Sequence, residues 1–260
     1  MTLYMENLLV ILAAMVLVWV ASIVRRDASI ADIFWGTGFV LIAWVTFHHA
    51  DGYWFRKWLI LLAVSTWGVR LSLHIGLRNR GKGEDPRYRA MREQHGDRFW
   101  WMSLFSVFGL QGVLLWVIAL PVQAALTSPH PREPVVWDFL GMAVWLVGFS
   151  WEAVADWQLA RFKSDPANRS RVMRSGLWAW SRHPNYFGES LVWWGIFLIA
   201  MADPRNLWTI VGPITITFLL LRVSGVVLTE KTIAERRPDY VDYVKTTNAF
   251  FPGPPRKSKE

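Results

Sequence analysis

Long apolar runs are the feature that most constrains how this chain folds. Seven segments are long and apolar enough to cross a bilayer, which takes about 20 mostly apolar residues per helix. They are residues 3–24, 30–49, 53–77, 104–126, 136–160, 186–203 and 207–228. Hydrophobic residues make up 53% of the chain and 18 residues are tryptophan, as expected for membrane spans with interfacial aromatic belts. The sequence therefore predicts an all-α, polytopic integral membrane protein with seven transmembrane helices.

The distribution of basic residues predicts the orientation. Lysine and arginine crowd the loops at 78–98 and 161–182 and the tail from 229, whereas the alternate loops hold few. Because positively charged loops stay in the cytoplasm, the N-terminus is expected outside and the C-terminus in the cytoplasm. The same rule explains most of the net charge of +8, with membrane lipid headgroups as partners.

Composition and spacing exclude several kinds of site. The chain has no cysteine, which removes thiol nucleophiles and thiolate metal ligands. No two histidines have the i, i+4 spacing of a helical metal site, so no metal is expected. There is no G-x-G-x-x-G stretch after a strand, so a dinucleotide would bind without a Rossmann fold. No nucleic-acid module is present, so no nucleic-acid partner is expected. The oligomeric state is left open, and a monomer is compatible with the sequence.

Polar residues inside the apolar segments are unevenly distributed. The first four segments, within about 1–127, are almost purely apolar, whereas the region of about 135–260 carries several charges inside its segments and strongly basic loops. A charge within the bilayer is costly unless it faces a cavity or a partner, so such residues are functional candidates. We expect one membrane domain with an apolar half, helices 1–4, and a polar half, helices 5–7 with the cytoplasmic tail.

Two pairs of residues mark the polar half. Glu152 and Asp156 are four positions apart and share one helix face, and so do Asn185 and Glu189. We expect them to line a polar slot between segments 5 and 6 near the cytoplasmic boundary. Basic residues lie beside it in sequence, namely Arg161, Lys163, Arg169, Arg171, Arg174 and Arg182. This set of residues suits a ligand with hydroxyls, a carboxamide and phosphates. Salt bridges within the protein that hold the helices together are the alternative role for the acidic residues.

The apolar half contains an acid, Asp32, about one turn into segment 2. In apolar surroundings this acid is expected to stay protonated and to donate a hydrogen bond to a ligand carbonyl. Two simpler roles are open, since Asp32 either caps its helix or pairs with Arg26 or Arg70. His74 on segment 3 is either a polar wall of the same site or a satisfied core histidine.

The stretch "GLWAWSRHPNYFGE" resembles the C-terminal region of the membrane steroid 5α-reductase family, and especially its bacterial branch. The segments "ADIFWG", "RNRGKGEDPRYRAMR" and "RPDYVDYVKTTNAFFP" share this resemblance, which covers most of the chain. It implies seven helices around NADPH and a 3-oxo-Δ4-steroid, with the cofactor held by helices 5–7 and the apolar substrate by helices 1–4. It also implies an enzyme of the bacterial inner membrane that reduces the Δ4 double bond by hydride transfer to C5.

Matching positions give the residues that the resemblance implies for the cofactor. Asn185 and Glu189 meet the nicotinamide carboxamide end, Arg171 meets a phosphate, and Asp156 with Glu152 meets hydroxyls or the adenine side. The full set of expected cofactor-binding residues is Glu152, Asp156, Lys163, Arg171, Arg174, Arg182, His183, Asn185, Tyr186, Glu189, Arg222 and Glu230. NADPH is expected rather than NADH, because a 2′-phosphate requires cationic neighbours.

The resemblance also assigns the substrate side. Asp32 matches a second-helix acid, a glutamate in the mammalian enzymes, that binds the steroid 3-ketone. The family's glutamine before that acid and its third-helix tyrosine are replaced here by Ala31 and Trp67. A second donor is therefore expected from His74 or Tyr53, and the expected catalytic set is Asp32, His74 and Trp67.

Two other functions stay open on the sequence. Isoprenylcysteine carboxyl methyltransferases, which use S-adenosylmethionine, share the R-H-P-x-Y-x-G stretch, but Asn185 and Glu189 follow the reductase pattern N-x-x-G-E. Those methyltransferases also tend to have adjacent glutamates after the last helix, where this chain has Glu230 followed by Lys231. A membrane protein that binds lipid without catalysis is the third possibility. Arg222 is open as well, since it either touches the cofactor or pairs with Glu152.

Overall fold

The computed structural model describes residues 2–169, 171–223, 225–226, 230 and 239–256, and the regular elements in these ranges are all helical. The helices are α1 (Leu3–Arg25), α2 (Ile30–His49), α3 (Trp54–Asn79), α4 (Pro86–Ile118), α5 (Leu120–Thr127), α6 (Val136–Ser164), α7 (Pro184–Ala200), α8 (Pro204–Val223) and α9 (Tyr240–Thr246). Short 3-10 turns lie at Pro166–Asn168 and Gly176–Ala179.

Six of the described helices, α1, α2, α3, α4, α6 and α8, are long and apolar enough to cross a membrane. The all-α membrane architecture predicted from the sequence is therefore confirmed. Helix α7 occupies the sixth predicted segment, but it has only 17 residues. The count of seven spans and the orientation stay predictions. The end of the seventh predicted segment, residues 224 and 227–228, lies outside the described residues.

Helix α4 differs most from its prediction. The sequence placed a loop at 78–98, but the helix begins at Pro86. Proline is favoured at the first helical position, and the Asp85 carboxylate caps this end by accepting a hydrogen bond of 2.9 Å from the Arg87 backbone N–H. The first turns of α4 are highly charged, so a search for apolar runs overlooks them.

The chain forms two compact units. Unit 1 comprises Met1–Asp138 and Ile199–Val211, and unit 2 comprises Phe139–Leu198 and Gly212–Glu260. Unit 1 therefore holds α1–α5, and unit 2 holds most of α6 and α8 together with α7 and α9. The two units are described separately below, since each carries its own cluster of polar residues.

In unit 1, α2 and α3 pack with their backbones in close approach. A Cβ atom at Gly36 would lie 2.3 Å from the Gly68 carbonyl oxygen, and one at Gly68 would lie 2.5 Å from the Gly36 carbonyl oxygen. Only glycine fits at such a crossing. At the same crossing, the Thr37 and Ser72 hydroxyls are 2.9 Å apart, and this hydrogen bond joins the two helices.

Buried polar groups tie the other helices of unit 1 together. Asn7 on α1 donates hydrogen bonds to Thr46 on α2 at 2.8 Å and to Gln123 on α5 at 3.0 Å. Arg56 on α3 forms an ion pair with Asp138 at 2.8 Å, and both side chains are 0% exposed. Such interhelical contacts are expected between helices in a bilayer. Lipid tails are as apolar as the helix faces, so apolar side chains alone give helices little preference for each other over lipid.

In unit 2, α6 and α7 also cross through glycines. A Cβ atom at Gly188 would lie 2.5 Å from the Glu152 backbone nitrogen, and one at Gly148 would lie 2.7 Å from the Gly188 carbonyl oxygen. A second close contact follows one heptad later, where a Cβ atom at Gly195 would lie 2.6 Å from the Trp145 nitrogen. This seam of small residues brings α6 and α7 together and positions the polar residues on both helices.

Candidate functional site

Unit 1 gathers a polar cluster around Asp32, in the first turn of α2. The Tyr88 hydroxyl donates to Asp32 Oδ1 at 2.6 Å, and Arg87 Nη2 lies 2.7 Å from Asp32 Oδ2 in an ion pair. Gln111 Nε2 donates to the Tyr88 oxygen at 3.1 Å. The Asp32 carboxylate therefore accepts hydrogen bonds from a phenol and a guanidinium, and the Gln111 amide donates one to the phenol oxygen.

The loop before α4 brings Tyr88 to Asp32. Ser29 Oγ accepts a hydrogen bond of 2.6 Å from the Asp85 backbone N–H, and Glu84 Oε1 accepts one of 2.9 Å from the Ala28 backbone N–H. Arg92 forms an ion pair with Glu84 at 2.8 Å. Burial alone would raise the pKa of Glu84, but the hydrogen bonds from Arg92 and Ala28 hold it below its usual value. This loop thus docks the start of α4 on the start of α2.

A π-helical turn aims Gln111 at the cluster. Residues Leu104–Gly109 of α4 are π-helical, which inserts an extra residue and rotates the following turn relative to a regular α-helix. Gln111 is the second residue after it. Its Oε1 atom is buried and has no hydrogen-bond partner in the described part of the chain. A buried carbonyl oxygen without a donor is costly, so this atom marks a position where a bound molecule or water gains a hydrogen bond.

The structure corrects two expectations for the substrate side. Asp32 pairs with Arg87 and not with Arg26 or Arg70, and its Ser29 neighbour, rather than Asp32, occupies the N-cap of α2. Both Asp32 oxygens accept hydrogen bonds, from Arg87 and from the Tyr88 hydroxyl, and donation from Asp32 to a ligand stays a prediction. The nearest donor hydroxyl belongs to Tyr88, which the sequence reasoning missed.

The other residues expected on the substrate side lie in different places. Trp67 is fully buried and packs against Phe39, with ring centroids 5.6 Å apart, which gives it a place in the core of the α2–α3 pair. Tyr53 precedes α3 at the end opposite to Asp32, so it is wrong as a second donor. His74 is half-buried near the end of α3 that faces the start of α2.

In unit 2, α6 and α7 bring expected polar residues of the two helices close together. Asn185 Nδ2 donates to Asp156 Oδ1 at 3.2 Å, and the Gly188 contact brings α7 against the backbone of Glu152. Glu152 is 2% exposed, Asp156 6% and Glu189 8%. One residue of each pair, Asn185 and Asp156, is thus in contact across the two helices, and the lining of a common site by all four residues stays a prediction.

The first residues of the motif, Arg182 and His183, join a different network. Arg182 forms an ion pair with Glu230 at 2.7 Å, and His183 Nε2 lies 3.2 Å from the same carboxylate. Burial alone would raise the pKa of Glu230, but hydrogen bonds from His183 and Arg182, with the charge of Arg182, lower it to about 2. The Tyr186 ring stacks on the His183 ring with centroids 5.4 Å apart.

Arg182 also anchors the C-terminal segment, residues 239–256. Its Nη1 donates to the Val244 carbonyl at 3.2 Å and to the Thr247 carbonyl at 2.5 Å. With the Glu230 bonds these contacts occupy most of its five donors. Arg182 therefore anchors this segment, and its expected part in cofactor binding stays a prediction. Arg174 makes a similar contact, since it donates to the Asp239 carbonyl and lies over the Tyr243 ring at 5.7 Å.

Three other expected cofactor residues are placed but keep their roles as predictions. Lys163 lies in the last turn of α6 and Arg171 in the loop that follows. Arg222 is exposed in the π-helical turn Leu219–Val223 of α8 and forms no ion pair within the described ranges. Of the two roles left open for Arg222, the pairing with Glu152 is therefore wrong.

Comparison with known proteins places the chain in a family. Residues 18–247 match the family described as "Protein of unknown function (DUF1295)". The chain belongs to the DUF1295 family. This family includes membrane proteins that resemble steroid 5α-reductases. An uncharacterized protein of Schizosaccharomyces pombe is 30% identical over an alignment 229 positions long, and the alignment covers 76% of this chain and 64% of the yeast protein. No solved structure matches the chain significantly.

A local signal for the missed tyrosine exists in the sequence. The stretch "GEDPRYRAMR" combines a capping aspartate with a proline at the first helical position, which together mark a helix start. A helix beginning at Pro86 places Tyr88 in its first turn, at the same membrane boundary as the first turn of α2. This signal does not identify the hydrogen-bond partner of Tyr88, because its contact with Asp32 depends on how the loop before α4 packs against the start of α2.

Proposed function

We propose that this DUF1295 protein is a reductase of the bacterial inner membrane, with its C-terminus in the cytoplasm. Its reaction is the NADPH-dependent reduction of the Δ4 double bond of a hydrophobic 3-oxo-Δ4-steroid. Unit 1 binds the substrate and unit 2 binds the cofactor in this proposal. The sequence resemblance supplies the reaction class, and the two polar clusters supply residues of the right chemistry for both ligands.

The observation that carries the proposal is the hydrogen bond between Tyr88 and Asp32. The reductase pattern requires a hydroxyl donor beside the second-helix acid. In the family this donor is a third-helix tyrosine, and this chain has Trp67 at that position. Tyr88 restores that donor from another helix at a distance of 2.6 Å. An acid and a phenol side by side in an apolar bundle suit a ligand with one carbonyl group on a hydrophobic body.

Each residue of the cluster has a separate task. Negative charge develops on the carbonyl oxygen when an enone is reduced, and a preorganised donor stabilises this charge. We assign that donor to the Tyr88 hydroxyl, which turns from Asp32 to the ligand oxygen. Asp32 orients the phenol, Arg87 holds Asp32, and Gln111 supports the phenol oxygen at 3.1 Å. The surrounding apolar side chains exclude water from the reacting carbons.

The donor set of unit 2 fits a nicotinamide dinucleotide. Buried carboxylates accept hydrogen bonds from ribose hydroxyls and a carboxamide, and the Asn185 amide offers both a donor and an acceptor. Phosphates require cations, and Lys163 follows Asp156 by seven residues, or about 10 Å along α6. When bound, NADPH supplies the hydride. Asn185 and Glu189 orient its carboxamide end, and Lys163 and Arg171 bind its phosphates.

The test uses the purified protein in detergent with NADPH and progesterone. The expected result is loss of the ultraviolet absorption of the enone, with one NADPH consumed per enone. Glu189→Gln and Asn185→Ala should abolish this activity while the protein stays folded. Glu93→Gln, an exposed acid on α4, is the matched control and should keep full activity.

Two results would replace the proposal. Binding of S-adenosylmethionine without binding of NADPH would identify a methyltransferase instead. Binding of steroid with affinity for neither cofactor would identify a lipid-binding membrane protein. Titration of each ligand with the same preparation separates these outcomes.

A further inference from the structure

A cavity of unit 1 lies at the turn that joins α2 to α3. It has a volume of about 310 Å³ and is lined by Phe47, Ala50, Asp51, Gly52, Trp54, Lys57 and Trp58. Asp32 is 15 residues before Phe47 on α2, or about 22 Å along the helix. The cavity is therefore separate from the polar cluster at the start of that helix.

The cavity carries one charge of each sign. The Asp51 side chain is exposed, and its carboxylate makes no hydrogen bond or ion pair with the described residues. Lys57 is held in place, because its ammonium donates to the Ala50 carbonyl and lies 4.6 Å from the centroid of the Phe47 ring. An ammonium has three donors, so Lys57 can still bind an anion.

Aromatic rings complete the walls of the cavity. The Phe47 and Trp58 rings meet edge to face with centroids 4.8 Å apart. Trp54 is 66% exposed and Trp58 47% exposed, which is typical of tryptophans at the headgroup level of a membrane. Ring faces next to a carboxylate attract ammonium groups. The cavity thus offers separate positions for a cationic and an anionic group.

An apolar stripe runs from the cavity along α3. Its exposed members follow Trp58 at helical spacing and are Leu62, Val69, Leu73 and Leu77. Residues spaced in this way share one helix face. A molecule whose charged end fills the cavity therefore has a largely apolar surface for a hydrocarbon chain, interrupted at Thr66, and this favours a lipid over a water-soluble zwitterion.

We propose that this cavity binds the headgroup of a zwitterionic phospholipid that carries an ammonium group. The ammonium lies between Asp51 and the aromatic rings, the phosphate contacts Lys57, and an acyl chain follows the exposed face of α3. The site does not depend on the proposed reductase activity.

The experiment measures lipid binding to the delipidated protein by native mass spectrometry in detergent. Dioleoyl-phosphatidylethanolamine and dioleoyl-phosphatidylglycerol are titrated in parallel, because they share the phosphate and acyl chains but only the first has an ammonium. We expect the wild type to prefer the ethanolamine lipid about five-fold, as one solvent-screened ionic contact provides. Asp51→Asn should remove the preference, and Lys57→Gln should weaken the binding of both lipids.

Matched controls are Glu133→Gln and Arg132→Gln, which remove exposed charges from the loop before α6 and should leave both affinities unchanged. Equal wild-type affinities for the two lipids would overturn the proposal, and so would equal behaviour of Asp51→Asn and Glu133→Gln. Displacement of the lipid by an equal concentration of phosphoethanolamine would also overturn it, since the site would then bind a soluble zwitterion. Asp51 is exposed, so its variant is expected to fold, and a thermal unfolding curve verifies this.

Discussion

Tyr88 donates a hydrogen bond of 2.6 Å to Asp32, although 56 positions separate the two residues in the chain. The bond joins the first turn of α4 to the first turn of α2. It puts a phenol next to a carboxylate at one end of unit 1. The arrangement gives the proposed substrate site a donor, an acceptor and a third side chain, Gln111, whose carbonyl oxygen is unsatisfied among the described residues.

Replacing Tyr88 with phenylalanine tests the donor. The variant keeps the ring but loses the hydroxyl, so we expect enone reduction to fall about 100-fold, as when an oxyanion donor is removed. Single-turnover kinetics with NADPH and progesterone measure this. Tyr53→Phe is the control, since its hydroxyl lies at the other end of the α2–α3 pair and its removal should not change the rate. Equal rates for the two variants would contradict the assignment.

Replacing Gln111 with leucine separates activity from stability. The variant loses the 3.1 Å hydrogen bond to Tyr88, and we expect the reduction rate to fall about 10-fold. It also removes a buried carbonyl oxygen that has no donor in the described chain, so the free energy of unfolding should stay unchanged or rise by about 1 kcal/mol. Chemical denaturation in detergent measures this. A loss of stability would show that the amide is a structural group.

The close contact of α6 and α7 predicts a large effect of a single methyl group. Gly188→Ala puts a Cβ atom 2.5 Å from the Glu152 backbone nitrogen, and we expect a loss of about 2 kcal/mol or more in the free energy of unfolding. Gly76→Ala is the matched control. A Cβ atom there meets only Ile33 at 3.8 Å, so the better helix propensity of alanine should stabilise α3 by up to about 1 kcal/mol.

The buried ion pair of Arg56 and Asp138 predicts a second contrast. Asp138→Ala leaves a buried guanidinium without its counter-ion, and we expect a loss of about 3–5 kcal/mol in the free energy of unfolding. Asp242→Ala breaks an exposed ion pair, in which the Lys245 side chain is 65% and the Asp242 side chain 66% exposed. This change should cost less than about 1 kcal/mol in the free energy of unfolding. Thermal unfolding of both variants in one detergent decides whether burial sets the difference.

Acid should loosen the C-terminal segment. The pKa of Glu230 falls from an ordinary 4.5 to about 2 in the folded protein. Its ionised form therefore stabilises the fold above pH 4.5, and this contribution is lost as the pH falls from 4.5 through about 2. The hydrogen-exchange protection of residues 239–256, which Arg182 ties down, should fall across this window when each rate is compared with that of an unprotected amide at the same pH. In Glu230→Gln the exchange should already be fast at neutral pH and should lose this acid dependence.

Much of the fold could be predicted because its signals are local. The start of α7 at Pro184 and the bounds of α2 follow from a proline at the first helical position and from run length. The polar faces that bring Asn185 and Asp156 together were also predictable. Glu152 and Asp156 are four positions apart on α6, Asn185 and Glu189 are four apart on α7, and residues four apart share a helix face. The start of α4 was missed, since a charged first turn lacks the apolar run on which such predictions depend.

The candidate sites were less predictable because partners are set by packing between distant segments. Arg182 and Arg87 look like equivalent basic residues in the sequence. In the structure, Arg182 anchors the C-terminal segment and Arg87 neutralises Asp32. An arginine side chain is long enough to reach several neighbours, so its role depends on which acid or carbonyl the fold brings within about 3 Å.

The sequence by itself determined the membrane character, the all-helical class and the unequal distribution of polar residues, because length, hydropathy and spacing act within single helices. Only the tertiary structure decided that Asp32 accepts a hydrogen bond from Tyr88 and that Gly188 lies against Glu152. Both contacts arise from the docking of whole helices and loops. Hydrogen bonds and close packing act over a few ångströms, so chain positions alone do not reveal them.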